Sequence, residues 1–223
     1  MTLYLSRLRL SRKPSARALD AIINPEEPGP RIDAHHRLLW AAFADNPDRK
    51  RDFLWREQSE GEFLTLSARP PAPSELFEAP AIKDFGPRLA PGDRLSFALR
   101  ANATRARKGI GRVDVVMDAL HALPKGARAP ERIALAQREG AAWLSRQGER
   151  AGFRLIGTEV GDYSVAVLPG HRGRRERQPQ FGILDMTGLL EITDPPSFLI
   201  ALSQGFGRAK AFGCGLMLIR RAE

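Results

Sequence analysis

Two successive β-α-β-β-α-β runs, and hence an α+β fold, are what this sequence predicts, and three observations lead there. Short stretches with two-residue alternation of apolar and polar side chains recur in both halves of the chain. Segments with helical spacing fall between them. Proline and glycine in Ala90–Leu95, "APGDRL", interrupt the pattern just after the first run is complete. The 223 residues suffice for two small cores, and 43% hydrophobic with 27% charged residues is the balance of a soluble globular protein.

The elements follow in order. "LYLSRLRL" (Leu3–Leu10) alternates imperfectly and reads as a strand; the proline-rich stretch after it, 11–31, reads as a loop holding at most one short helix. "IDAHHRLLWAAFADN" reads as a helix capped by Asp33, with His36, Leu39, Trp40 and Phe43 on one face. "RDFLWREQ" and "GEFLTLSARP" are strands joined through "SEG". "PPAPSELF" permits a brief helix and "EAPAIKDFG" a weak last strand. That order is the ferredoxin-like one. After the break, "RLSFALRAN" opens a second run, followed by the basic segment "ATRARKGIGRVDV". A helix ends near Gly152, and "FRLIG", "YSVAVLPG" and "QFGILDMTGLLEI" are strand material, with "HRGRRERQP" before the last of them. Asp194 and Pro195 open a helix, and "CGLMLIRR" is a terminal strand. The expected domains are therefore two tandem ferredoxin-like (RRM-like, βαββαβ) units, 1–90 and 91–223.

Charge is divided unevenly. The formal net charge is +9, and residues 92–223 carry 21 Lys+Arg against 13 Asp+Glu, leaving the first part near neutral. Arginine far outnumbers lysine, which suits bidentate contact with the phosphates of a polyanion. A single cysteine, Cys214, rules out an internal disulfide framework and any cysteine zinc cluster. No stretch approaches the ~18 apolar residues a membrane span needs, and the start lacks the apolar block of a signal peptide. A cytoplasmic protein without a membrane partner is expected.

Four glycines and four basic residues crowd "QGFGRAKAFGCGLMLIRR" (Gln204–Arg221). It is no Walker loop, and it lies in helix–loop–strand order, whereas a dinucleotide fingerprint follows a strand and opens a helix. It is no RRM stacking motif either, because Arg208 stands where an aromatic is required. Two readings remain: an anion-approaching loop with Arg208 and Lys210 as charges, or a tight turn needing positive φ.

His35 and His36 are adjacent, so on a helix they point about 100° apart and cannot grip one metal. No Cys-x-x-Cys or carboxylate cluster accompanies them, so no metal and no cofactor are expected. Placed one turn inside a helix, His36 would be held neutral by the helix dipole and able to accept a proton; equally, it can simply cap an apolar stripe. RNA brings its own nucleophile, the 2′-hydroxyl. One histidine beside a basic loop is then enough for strand cleavage.

Taken together, "LYLSRL", "HHRLLW", "RDFLWR", "FALRAN", "EGAAWLSRQGERAGFRL" and the tail "GFGRAKAFGCGLMLI" resemble the CRISPR repeat-processing endoribonucleases of the type I-E Cascade complex, the CasE family. The resemblance runs from end to end, and its most specific element is the tail G-x-G-x-A-K-x-x-G-x-G-L. It implies tandem ferredoxin-like domains that bind a CRISPR repeat RNA hairpin and cut at the 3′ base of its stem without metal. The products would be a 2′,3′-cyclic phosphate and a 5′-hydroxyl, and the protein would stay on the guide RNA with other Cascade subunits. His36 matches the family histidine, with His35 as the alternative in register. Gly205, Gly207, Lys210, Gly213 and Gly215 match the glycine-rich tail. Arg172, Arg174, Arg175 and Arg177 match a basic hairpin that enters the RNA groove. Arg105, Arg107 and Lys108 are further RNA-binding candidates, as is Arg208, where the family commonly has proline. Asp33 stands where members carry tyrosine, so a tyrosine's role must be absent or moved, for example to Tyr4. A cleavage-deficient RNA-hairpin-binding subunit is the alternative reading; a basic scaffold protein is a third.

Overall fold

The computed structural model describes residues 2–14, 19–43, 50–169 and 178–222. The chain divides into two compact units: Met1–Pro87 with Ala166–Gln180 and Lys210–Gly213, and Arg88–Val165 with Phe181–Ala209 and Cys214–Glu223. Both are mixed α+β.

In the first unit, β1 (Leu3–Arg9), β2 (Phe53–Ser59), β3 (Glu62–Ser67) and β4 (Ala81–Phe85) form an antiparallel sheet in the order β2-β3-β1-β4. A four-residue helix α1 (Asp20–Ile23) precedes α2 (Pro28–Ala41). Alternation in the strands sends Leu8, Phe53, Trp55 and Phe63 to one face, and Leu38, Leu39, Ala42 and Phe43 from α2 and its end meet them in a buried core. Phe43 stacks on Phe53 with ring centroids 4.3 Å apart.

Two expectations fail here. The helix begins at Pro28, with Glu27 as its N-cap, five residues before Asp33. Prolines read as loop markers sit instead in the first turn, where the amide they lack has no intrahelical partner anyway. Asp33 is consequently a mid-helix residue, paired with Arg37 at 2.8 Å, and caps nothing. Between β3 and β4 there is no helix. Pro70, Pro71 and Pro73 cannot donate, and the chain turns irregularly until Phe77 bridges Leu10 and plugs the core.

In the second unit, β5 (Arg94–Ala101), β8 (Phe153–Val167), β9 (Gln180–Ile192) and β10 (Met217–Arg221) are ordered β10-β5-β9-β8, with β5 antiparallel to both β10 and β9. The two expected strands 153–157 and 163–170 are one continuous strand, β8. The "basic segment" is a hairpin, β6 (Thr104–Arg107) with β7 (Gly111–Asp114), leading into an unexpected helix α3 (Val115–His121). Asp114 caps α3 by accepting from the amides of Val116 and Met117, both at 3.0 Å. The 24-residue α4 (Arg128–Ala151) buries Leu135, Trp143 and Leu144 and ends at left-handed Gly152. Helix α5 (Pro195–Gln204) is capped by Asp194, as expected.

Candidate active site

The site is built within the first unit. Helix α2 presents two successive histidines in opposite circumstances. His35 is fully buried, edge-on to Phe63 (4.8 Å) and Trp55 (6.4 Å). Its Nε2 lies 3.3 Å from Asn24 Oδ1, and Asn24 Nδ2 donates to Glu60, so the Asn24 oxygen faces the ring and His35 carries its proton on Nε2. Burial, with Arg31 adding to it, lowers the His35 pKa to about 4. Glu57 Oε2 lies 3.7 Å from Nδ1, close enough to favour the charged ring but without a hydrogen bond, so burial prevails. His35 is a core residue.

His36, one position on, is half-buried. Trp40 Nε1 donates to its Nε2 at 3.0 Å, one helical turn along. An indole nitrogen only donates, so His36 is neutral with its own proton on Nδ1, and its single lone pair is occupied. The ring lies 5.3 Å from Phe212, tilted by 59°. Burial, then Arg51, holds its pKa below the ordinary histidine value; Arg37 adds to this and Asp33 opposes it. The helix-dipole explanation expected from sequence does not apply, since His36 is the ninth residue of α2.

Lys210–Phe212 form a single 3₁₀ turn, held in place by Trp55, whose Nε1 donates to the Ala211 carbonyl at 3.0 Å. Gly213 follows with φ +79°, and a Cβ there would stand 3.1 Å from the Trp55 ring. Lys210 is half-buried, and burial followed by Arg51 lowers its pKa. Phe212 sets this turn against the His36 ring, and the charge of Arg51 disfavours a proton on both His36 and Lys210.

The other predicted positions differ in kind. In the second unit, Gly207 has φ +78° and a Cβ would meet the Asn102 carbonyl at 2.6 Å, so its glycine is required by the fold. The amides of Gly205, Phe206, Arg208 and Gly215 donate to the carbonyls of Ala201, Gly215, Asn102 and Arg100. Those amides are therefore committed internally, and the turn reading accounts for this part of the loop. The Arg208 side chain is exposed. Arg105 pairs with Asp118 (3.0 Å) and Glu139 (3.4 Å), Arg107 with Asp118, and Lys108 is exposed at the hairpin turn. Arg172, Arg174, Arg175 and Arg177 lie outside the described residues. Tyr4 sits on β1 opposite Ser67 and Asp84. Sequence reasoning read Arg51 only as the start of a strand and Trp40 only as part of an apolar stripe, and gave neither a role in the site. The i, i+4 spacing of His36 and Trp40 was the one signal available for the latter.

A half-buried neutral imidazole of this kind can accept a proton at Nε2 when the Trp40 indole does not occupy it. Residues 3–221 match the family described as CRISPR associated protein, and the chain belongs to that family. It is 32% identical over 223 residues to the CRISPR-associated endoribonuclease Cse3 of Thermus thermophilus, covering 89% of this chain and 96% of that protein. It is 29% identical to the CRISPR system Cascade subunit CasE of Escherichia coli, covering 82% and 88%. Its fold is similar to that of CRISPR endoribonuclease Cse3 bound to a 19 nt RNA, with TM-score 0.71 and 26% identity over 98% of this chain and 99% of that one.

Proposed function

We propose that this protein is a metal-independent endoribonuclease that cleaves CRISPR precursor RNA at the 3′ base of the repeat hairpin. It would remain on the guide RNA as a cytoplasmic Cascade subunit. The observation that carries the reading is His36, neutral and half-buried, packed against Phe212 of the turn that carries Lys210. The relatives named as endoribonuclease and Cascade subunit, and the RNA-bound neighbour, support the substrate class. The strand orders β2-β3-β1-β4 and β10-β5-β9-β8 support two ferredoxin-like domains, 1–90 and 91–223, the first lacking its second helix.

The chemistry balances without an external nucleophile. The 2′-oxygen attacks the adjacent phosphorus as its proton passes to a base. The P–O5′ bond breaks and the 5′-oxygen leaves with a proton from an acid, giving a 2′,3′-cyclic phosphate and a 5′-hydroxyl. His36 Nε2 serves as the base once the Trp40 indole has moved off its lone pair. Lys210 balances the charge growing on phosphorus-bound oxygens. The exposed cations Lys108 and Arg208, the ion-paired Arg105 and Arg107, and Arg172, Arg174, Arg175 and Arg177 bind the RNA backbone.

The second reading, an RNA-binding subunit without cleavage, is favoured by one observation: the His36 lone pair is already taken. Incubating wild-type protein and His36→Ala with repeat hairpin RNA in excess EDTA separates the two. Cleavage by the wild type and none by the variant, at equal hairpin affinity, supports the enzyme; tight binding with no cleavage by either supports the second reading.

A further inference from the structure

Between α5 and β10 the backbone takes positive φ at Gly205 (+75°), Gly207 (+78°), Ala209 (+50°), Gly213 (+79°) and Gly215 (+94°). Glycine enters that region freely, and four of the five positions use it. Ala209 is the exception, and among the described residues it is the one non-glycine with positive φ. Its Cβ crowds the carbonyl oxygen in this conformation, a strain that glycine would avoid. Hydrogen bonds on either side hold it there. The Arg208 amide donates to the Asn102 carbonyl at 3.1 Å, and the turn Lys210–Phe212 that follows is fixed by the Trp55 indole on the Ala211 carbonyl at 3.0 Å.

Strained backbone of this kind persists where its surroundings impose it, and it collects beside groups that must be aimed. The group beside Ala209 is the half-buried Lys210, on the turn that sets Phe212 5.3 Å from the His36 ring. The left-handed well open to alanine is small, whereas glycine at the same place also reaches the mirror-image extended region. On the proposed RNA-cleavage reading, we infer that Ala209 is a positioning residue, whose confined left-handed backbone fixes the direction in which Lys210 meets the scissile phosphate. The strain weakens the fold, and the benefit falls on the cleavage step. A cation already aimed needs no reorganisation as negative charge gathers on the oxygens around phosphorus.

The test compares wild type, Ala209→Gly, Lys210→Ala, the Ala209→Gly/Lys210→Ala pair and His36→Ala. Single-turnover cleavage of repeat hairpin RNA, binding to a 2′-deoxy hairpin and Tm are measured for each. Ala209→Gly should melt at or above the wild-type Tm, because relief of the strain outweighs the extra freedom of glycine in the unfolded chain. It should nevertheless cleave about tenfold more slowly, with hairpin affinity changed less than about twofold. Because Ala209 acts through Lys210, the paired variant should cleave no more slowly than Lys210→Ala alone. Cleavage by Ala209→Gly within about threefold of wild type, while Lys210→Ala and His36→Ala are impaired, overturns the role of Ala209 alone. A lowered Tm or failure to fold in Ala209→Gly, or an additive loss in the paired variant, overturns it equally, since each shows a residue that serves the fold or acts apart from Lys210. Wild-type cleavage by His36→Ala or by Lys210→Ala overturns the reading beneath it.

Discussion

Replacing Trp40 with phenylalanine removes one hydrogen bond and little else. The indole Nε1 donates to His36 Nε2 at 3.0 Å, and its ring packs edge-on against Phe53 at 5.5 Å; a phenyl group keeps the second contact and loses the first. Only neutral imidazole can accept that bond, so it stabilises the neutral form and lowers the His36 pKa in the same direction as burial and Arg51. A bond of this kind is worth about 1 kcal/mol net, so its loss makes protonation of His36 about fivefold more favourable. The Trp40→Phe variant should therefore show the His36 ring titrating at higher pH by NMR, with the Nε2 lone pair free. Because the indole no longer competes with the ribose hydroxyl, single-turnover cleavage should rise by up to about fivefold. An unchanged His36 titration in a folded variant would refute the claim that the indole occupies this lone pair.

Three further outcomes follow from neighbouring features. His35 has a folded pKa of about 4 against 6.5 in the unfolded chain. It contributes no pH dependence above 6.5, where both states are neutral. From 6.5 down to 4 the unfolded chain takes up a proton that the folded one does not. Stability then falls by about 1.4 kcal/mol per pH unit, and a His35→Leu variant should flatten that slope in urea titrations between pH 4 and 7. Gly213→Ala places a side chain at φ +79° against the Trp55 ring, which should cost about 1–2 kcal/mol and lower Tm; an unaltered Tm would show that the turn adjusts freely. Arg174→Ala with Arg175→Ala should reduce the log–log salt slope of hairpin binding by roughly 0.7–0.9 per lost phosphate contact, whereas an unchanged slope would show those arginines to be solvated.

Much of the fold was legible because alternation in the strands is local: Leu8, Phe53, Trp55 and Phe63 face the core as their spacing requires. The start of α2 was not. Proline is ambiguous from sequence alone, and Pro28 opens a helix where a loop was expected. Helix α3 was hidden for a different reason, since seven residues are too few to establish a period and its only strong signal is the Asp114 cap. His36 and Lys210 were visible through a motif. Arg51 opens the stretch "RDFLWR", which reads as a strand, and nothing in that local pattern marks its Nη1 as buried. Contacts between segments far apart in the chain, such as the 156-residue separation bridged by Trp55 and Ala211, are written in no local pattern.

One atom in the substrate decides the central claim. In a repeat hairpin carrying a single 2′-deoxy at the scissile nucleotide, binding should be retained and cleavage at that bond should vanish, while the unmodified strand yields a 2′,3′-cyclic phosphate by mass spectrometry. Cleavage of the deoxy-substituted bond at the wild-type rate would mean that the nucleophile is not the RNA's own hydroxyl, and that His36 does not do what is proposed for it.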